Sequence, residues 1–180
     1  MRIESIEIQN FRQYRKEKFV FPKLKGKKDI HVIIGENGEG KTNILNALTW
    51  CLYGEELHLG DKNTAICNIN SQYVQELRNH SQKNGEAKVT VVMSIEDGGN
   101  ITFMRTATYS ITPSNVIETK QEVIAIAKAN GGNKVIDNKN DYEMYVSRYV
   151  PKEINEYIFF DESELVKTVL KHMNQNYFIK

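Results

Sequence analysis

The sequence predicts an α/β fold with an attached antiparallel β-lobe, and three observations predict it. Residues 35–42 read G-E-N-G-E-G-K-T, a full match to G-x-x-x-x-G-K-[ST], set between a strand-like and a helix-like stretch. A basic hairpin pattern comes before that loop, where small nucleoside kinases usually begin with the loop's own strand. After the helix come two β-rich runs, residues 86–95 and 100–110, joined by Glu96-Asp97-Gly98-Gly99. Asp-Gly and Gly-Gly between such runs signal a hairpin.

Each element follows in order. Ile3, Ile6 and Ile8 give a strand-like opening, and Asn10-Phe11-Arg12-Gln13-Tyr14 reads as a turn. Phe19 and Phe21 mark a second strand that Pro22 ends. Residues 23–29 form a Lys/Gly loop, and residues 30–34 (I-H-V-I-I) read as a buried strand. Ile44, Leu45, Leu48, Cys51 and Leu52 recur at helical spacing, closed by Gly54. Residues 55–72 are polar and irregular, and the β-lobe covers about 86–111. Residues 128–141 look loop-like, with a short strand at Val135 and Ile136. A helix is expected over 142–148, capped by Asp141. Pro151 breaks the chain, residues 157–160 are an apolar run ending at Asp161-Glu162, and 163–177 are helical with Val166, Val169, Leu170 and Met173 on one stripe.

The loop's chemistry follows from its residues. Gly35, Gly38 and Gly40 let the backbone curl until successive N–H groups face phosphate oxygens. The helix starting near Lys41 adds its positive end. Lys41 can reach the β- and γ-phosphates of ATP, and the Thr42 hydroxyl can ligate Mg²⁺. Glu36, Asn37, Glu39 and Asn43 border the bound nucleotide, Asn37 and Glu39 mainly through their backbone. A chance Gly-rich turn would contain some of these features but not all in order.

Composition bounds the rest. The 180 residues suit one domain, and 40% hydrophobic with 26% charged content is globular. Net charge is +1, but residues 1–28 hold nine Lys/Arg against three Glu, a local excess that fits either a DNA backbone or a solvated hairpin. Cys51 and Cys67 make neither a zinc site nor a disulfide framework, and Cys51 falls on the apolar face of the helix. Four scattered histidines suggest no metal centre. With no stretch long and apolar enough to span a membrane and no signal peptide, a cytoplasmic location is expected. Trp50 reads as core, and Arg105 as a surface residue of the β-lobe.

Three segments together carry a family resemblance: I-E-S-I-E-I-Q-N-F-R-Q-Y, V-I-I-G-E-N-G-E-G-K-T-N-I-L-N-A-L-T-W-C-L-Y-G and V-P-K-E-I-N-E-Y-I-F-F-D-E-S-E-L. They resemble the N-terminal half of the SMC/RecF/RecN-like branch of the ABC ATPases. The last segment is most similar to DndD-type ATPases of DNA phosphorothioation and restriction, whose F-F-D-G-E this chain changes by Glu162 in place of Gly. The resemblance implies a P-loop NTPase head folded from both ends of a chain around a long coiled coil, with residues 163–180 leading towards it. The C-terminal half would bring the L-S-G-G-type signature and acidic Walker B strand, and no L-S-G-G occurs here. ATP-driven homodimerisation, DNA, and a nuclease or DNA-modification enzyme are the partners implied. Arg12 matches the family arginine that approaches nucleotide or DNA.

Asp161 and Glu162 admit three readings. After four apolar residues they imitate a Walker B strand, with Asp161 on Mg²⁺ and Glu162 polarising water. By resemblance they instead stand where ABC proteins have the Q-loop, with Asp161 in place of Gln. The third reading is a core strand whose Asp161 caps the terminal helix, with Glu164 completing a capping box. The leading functional expectation is an ATPase head coupled to DNA in repair, restriction or phage defence, with Lys41, Asp161 and Glu162 as its catalytic set. A non-hydrolysing nucleotide-binding module and a small-molecule P-loop kinase are the alternatives; the kinase would need an Arg-rich lid that is not evident.

Overall fold

The computed structural model describes residues 1–24, 31–57, 67–95, 98–129 and 132–154. Among these residues six strands form one antiparallel sheet: β1 (Arg2–Phe11), β2 (Tyr14–Val20), β3 (Asn84–Ser94), β4 (Asn100–Ile111), β5 (Val116–Ala129) and β6 (Gly132–Ile136). Their order is β2-β1-β3-β4-β5-β6. The expected hairpin is thus β3 and β4, paired without a break from Asn84↔Ser110 to Ser94↔Asn100. The β-lobe expected at about 86–111 is continuous with the first hairpin. β1 pairs with β3 as well as β2, so both hairpins belong to one sheet.

One face of this sheet is the core. Along β4, Ile101, Phe103, Arg105, Ala107, Tyr109 and Ile111 point inward, and β3 alternates in phase with Ala87, Val89, Val91 and Met93. The other face carries threonines and long polar side chains, the pattern of an antiparallel sheet half-open to water. Among the described residues three α-helices cover the apolar face: α1 (Lys41–Tyr53) on β3, β4 and β1, α2 (Ser71–Asn79) on β3 and β4, and α3 (Lys139–Tyr149) on β5 and α1. Phe11 packs on Trp50 with ring centroids 5.1 Å apart, and Phe103 meets Tyr142 edge-on at 5.5 Å.

Several expectations change. Residues 31–34 are not a buried strand: they join no strand of the sheet among the described residues, and Val32 and Ile34 are 76% and 90% exposed. Apolar residues form a strand only where another strand accepts their backbone, and none among the described residues lies beside them. α2 begins at the end of the stretch read as polar and irregular and runs on to Asn79, capped by Asn70, whose side chain accepts from the Tyr73 amide at 2.9 Å. α3 starts earlier than expected, and its cap is Asn138 rather than Asp141, whose own amide lies in the first turn. The short strand at Val135 and Ile136 is present as the end of β6.

Candidate nucleotide-phosphate site

Residues 35–40 form an exposed loop that turns through Gly38 (φ +91°) into Gly40 (φ +100°), and α1 begins at Lys41. Both φ values lie where side chains are strained. Lys41 Nζ folds back to donate to Gly35 O at 2.7 Å and Glu36 O at 2.9 Å, so its ammonium sits within the arc of the loop. The Glu39 carboxylate accepts from the Glu36 amide at 2.8 Å and tightens that arc. Among the described residues no side chain caps the N-terminus of α1, and its first turn holds no acidic residue. A helix start without an acidic residue, beside a lysine and two left-handed glycines, fits a phosphate chain. Thr42 is the second residue of α1, half-buried, where its hydroxyl would face a metal held by those phosphates. Asn37 lies in the exposed turn, and Asn43 in the first turn of α1.

The tip of the first hairpin rests on this loop. β1 and β2 are joined by Arg12 and Gln13 alone. Tyr14 Oη donates to Gly40 O at 3.1 Å, and Asn43 Nδ2 donates to Gln13 Oε1. Arg12 itself turns away: its guanidinium forks onto Glu56, Nε to Oε1 at 2.8 Å and Nη2 to Oε2 at 2.6 Å. Both side chains are nearly buried, so this is a bidentate pair of the strong kind. The structure therefore places Arg12 on the segment after α1 and not on the phosphate loop.

The far end of α1 is fixed by a residue the sequence reading put on the surface. Arg105 is only 4% exposed. It lies between the rings of Trp50 and Tyr142, 5.9 and 5.7 Å from their centroids. Its Nε donates to Cys51 O at 3.1 Å, and Tyr142 Oη donates to the same carbonyl at 2.8 Å. That carbonyl is one of the last four of the helix, which have no partner within it. Arg105 Nη1 donates to Gln121, which in turn donates to Glu118. The signal was present: in N-I-T-F-M-R-T-A-T-Y-S-I, Arg105 stands in phase with Phe103 and Ala107. Gly54 ends α1 at φ +78°, as its position predicts, with its amide on Trp50 O at 2.9 Å. Trp50 and Cys51 are core as expected; burial pushes the Cys51 thiol up to about 12 and raises Tyr142 well above the usual phenol.

Asp161, Glu162 and the helix from 163 lie outside the described residues, as do Lys25, Lys27 and Lys28 of the basic hairpin. Of the rest of that basic surface, Lys16 and Lys18 are exposed on β2, while Arg15 pairs with Glu76 at 2.6 Å and stacks on Tyr73. Among the described residues no cluster of acidic, His and Cys side chains could hold a metal by itself, and no helix is long and apolar enough to cross a membrane.

The chain is similar to several known proteins that are named for DNA replication and repair or for chromosome maintenance. The chain is 32% identical over 91 residues to the DNA replication and repair protein RecF of Acetivibrio thermocellus, covering 51% of this chain and 23% of RecF. It is 29% identical over 107 residues to Structural maintenance of chromosomes protein 1 of Arabidopsis thaliana, covering 59% of this chain and 8% of that protein. The Schizosaccharomyces pombe protein of the same name is 26% identical over 135 residues, 72% of this chain and 10% of its own length. The chain thus spans less than a quarter of these relatives. The AAA domain model matches residues 5–178, phosphate loop and sheet included, and the chain belongs to that family, AAA_23.

Proposed function

We propose that this chain is the ATP-binding half of an SMC/RecF-like ATPase head, which clamps a second copy around ATP and couples that clamp to DNA. The observation that carries this is the loop at the start of α1, with Lys41 inside its arc and no acidic residue in the first helical turn. In this reading Lys41 holds the β- and γ-phosphates, the loop amides hold the rest, and Thr42 ligates Mg²⁺ together with Asp161. By the resemblance of residues 150–165, Asp161 and Glu162 would take the Q-loop role, so turnover waits for a C-terminal half that brings the signature and the acidic strand. The exposed apolar residues Val32, Ile33 and Ile34 support such a half, because a strand laid beside them would bury them. Arg12 acts at a distance, through Glu56 and the turn it anchors. DNA would meet Lys16, Lys18 and the lysines of residues 25–28 without sequence preference.

Calorimetry with ATP and Mg²⁺ on the wild type and on Lys41→Ala tests the site, and ATP turnover with and without a C-terminal half tests the role. Equal affinities would remove the nucleotide reading. Robust turnover by the chain alone as a verified monomer would instead make Asp161 and Glu162 a working Walker B pair. The narrower placement among DndD-type ATPases, with a nuclease or DNA-modification partner and a part in phage defence, rests on residues 150–165. A non-hydrolysing module remains the reading if the C-terminal half adds no turnover.

A further inference from the structure

The tip of the first hairpin is held with more constraints than a two-residue turn needs. Asn10 and Arg12 both adopt positive φ, +50° and +51°, without being glycine. Such strain persists only where the surroundings over-determine it. Here the Arg12 amide donates to Asn68 O at 2.7 Å, its carbonyl accepts from Asn70 Nδ2 at 2.6 Å, and its side chain is locked on Glu56. The outcome is a fixed place for the next residue. Gln13 lies over Gly40, where its carboxamide occupies the space a Cβ would need, and its Oε1 is taken by Asn43. Its Nε2 is the atom that fills that space, at the start of α1 and on an exposed side chain.

The end of the nucleotide that it faces follows from the loop. Lys41 serves the β- and γ-phosphates, while the backbone entering the helix serves the α- and β-phosphates. Asn43, two residues past Lys41 and into the helix, marks the α-phosphate side. We propose that Gln13 donates from Nε2 to the α-phosphate, so that the site selects a nucleotide over a bare pyrophosphate. This rests on the phosphate-loop reading given above. A hydrogen bond to an ionised oxygen is of the strong class, and a fixed carboxamide gives up little freedom on making it.

Calorimetry with ATP, ADP and pyrophosphate on wild type, Gln13→Met, Gln13→Ala and Lys41→Ala tests it. Methionine keeps the bulk over Gly40 and removes the donor. The expected result is a loss of about ten-fold in ATP and ADP affinity in both Gln13 variants, with pyrophosphate unchanged. Lys41→Ala should weaken all three ligands. If Gln13→Met weakens pyrophosphate as much as ATP, Gln13 only shapes the loop and the proposal falls. It also falls if neither ligand responds while Lys41→Ala still does. An unchanged Lys41→Ala would overturn the phosphate-loop reading itself, a separate failure.

Discussion

At its C-terminal end α1 is clamped from three directions. Arg105 and Tyr142 share the Cys51 carbonyl, Gly54 takes Trp50 O, and Tyr53 Oη reaches Val150 O at 3.1 Å while Lys152 pairs with Glu55 at 2.6 Å. At its N-terminal end the same helix meets an exposed loop held by its own lysine and by one hairpin tip. The contrast separates two tasks. A site built from backbone amides must not be filled by the protein's own packing, so its rigidity has to come from elsewhere. Here it comes from the far end of the helix, about 20 Å away for 13 residues.

Substitutions at the closed end should therefore cost stability, and those at the open end affinity. The largest effect is expected for Arg105→Ala. It empties a buried site and leaves Gln121 without its donor, at a cost of about 3 kcal/mol in urea unfolding. A cost under about 1 kcal/mol would show that the clamp does not hold the helix. Lys41→Ala comes next, with ATP affinity falling about a hundred-fold while the melting temperature stays within about a degree. A large drop in melting temperature would mean that the open end is structural too. Gly54→Ala sets a Cβ at φ +78° and 3.2 Å from Arg105 Nη1. It should cost about 1–2 kcal/mol and leave ATP affinity unchanged, which joint melting and calorimetry would check.

The smallest effect concerns pH. Burial raises the Cys51 thiol from 9.0 to about 12 in the folded chain. Below pH 9 the thiol is protonated in both states, and its contribution is fully present. Above pH 9 the unfolded chain loses the proton that the folded chain keeps, so stability falls as pH rises. The loss is on the order of 1 kcal/mol by pH 10. Urea midpoints at pH 8 and pH 10 should differ accordingly, and Cys51→Ala should flatten that slope. An unchanged slope in the variant would assign the alkaline loss to the buried tyrosines.

The sequence made α1, its closing glycine, the β3–β4 hairpin and the phosphate loop readable, because each rests on local spacing. What it hid depended on neighbours. Residues 31–34 have the composition of a buried strand, yet a strand needs a pairing partner that local pattern does not name. Arg105 was misplaced because charge was weighed above phase, although two aromatic rings and a helix end can take a guanidinium in. Gln13 drew no notice for the opposite reason: nothing in its neighbours along the chain shows that a strained turn carries it onto Gly40. Of the site residues, the loop itself was legible. The hold that the hairpin and the β4 arginine exert on it was not.

The long strand β5 bears on how this chain behaves in a crowd. β6 pairs only with Ala125–Ala129, so among the described residues the stretch from Val116 to Ile124 has a neighbour on one side alone. A bare edge of that length is a template on which further copies can grow. Its residues answer that hazard. Glu118, Lys120 and Glu122 line the stretch, and a register shift opposite Thr108 and Tyr109 disturbs its regularity. Two copies meeting in parallel register would set each of these charges against itself. Two copies meeting antiparallel about Lys120 would set Glu118 against Glu122. Like charges directly opposite destabilise a strand pair in either of these registers, so the two alignments that would pair the bare stretch along its full length are the ones its charges oppose.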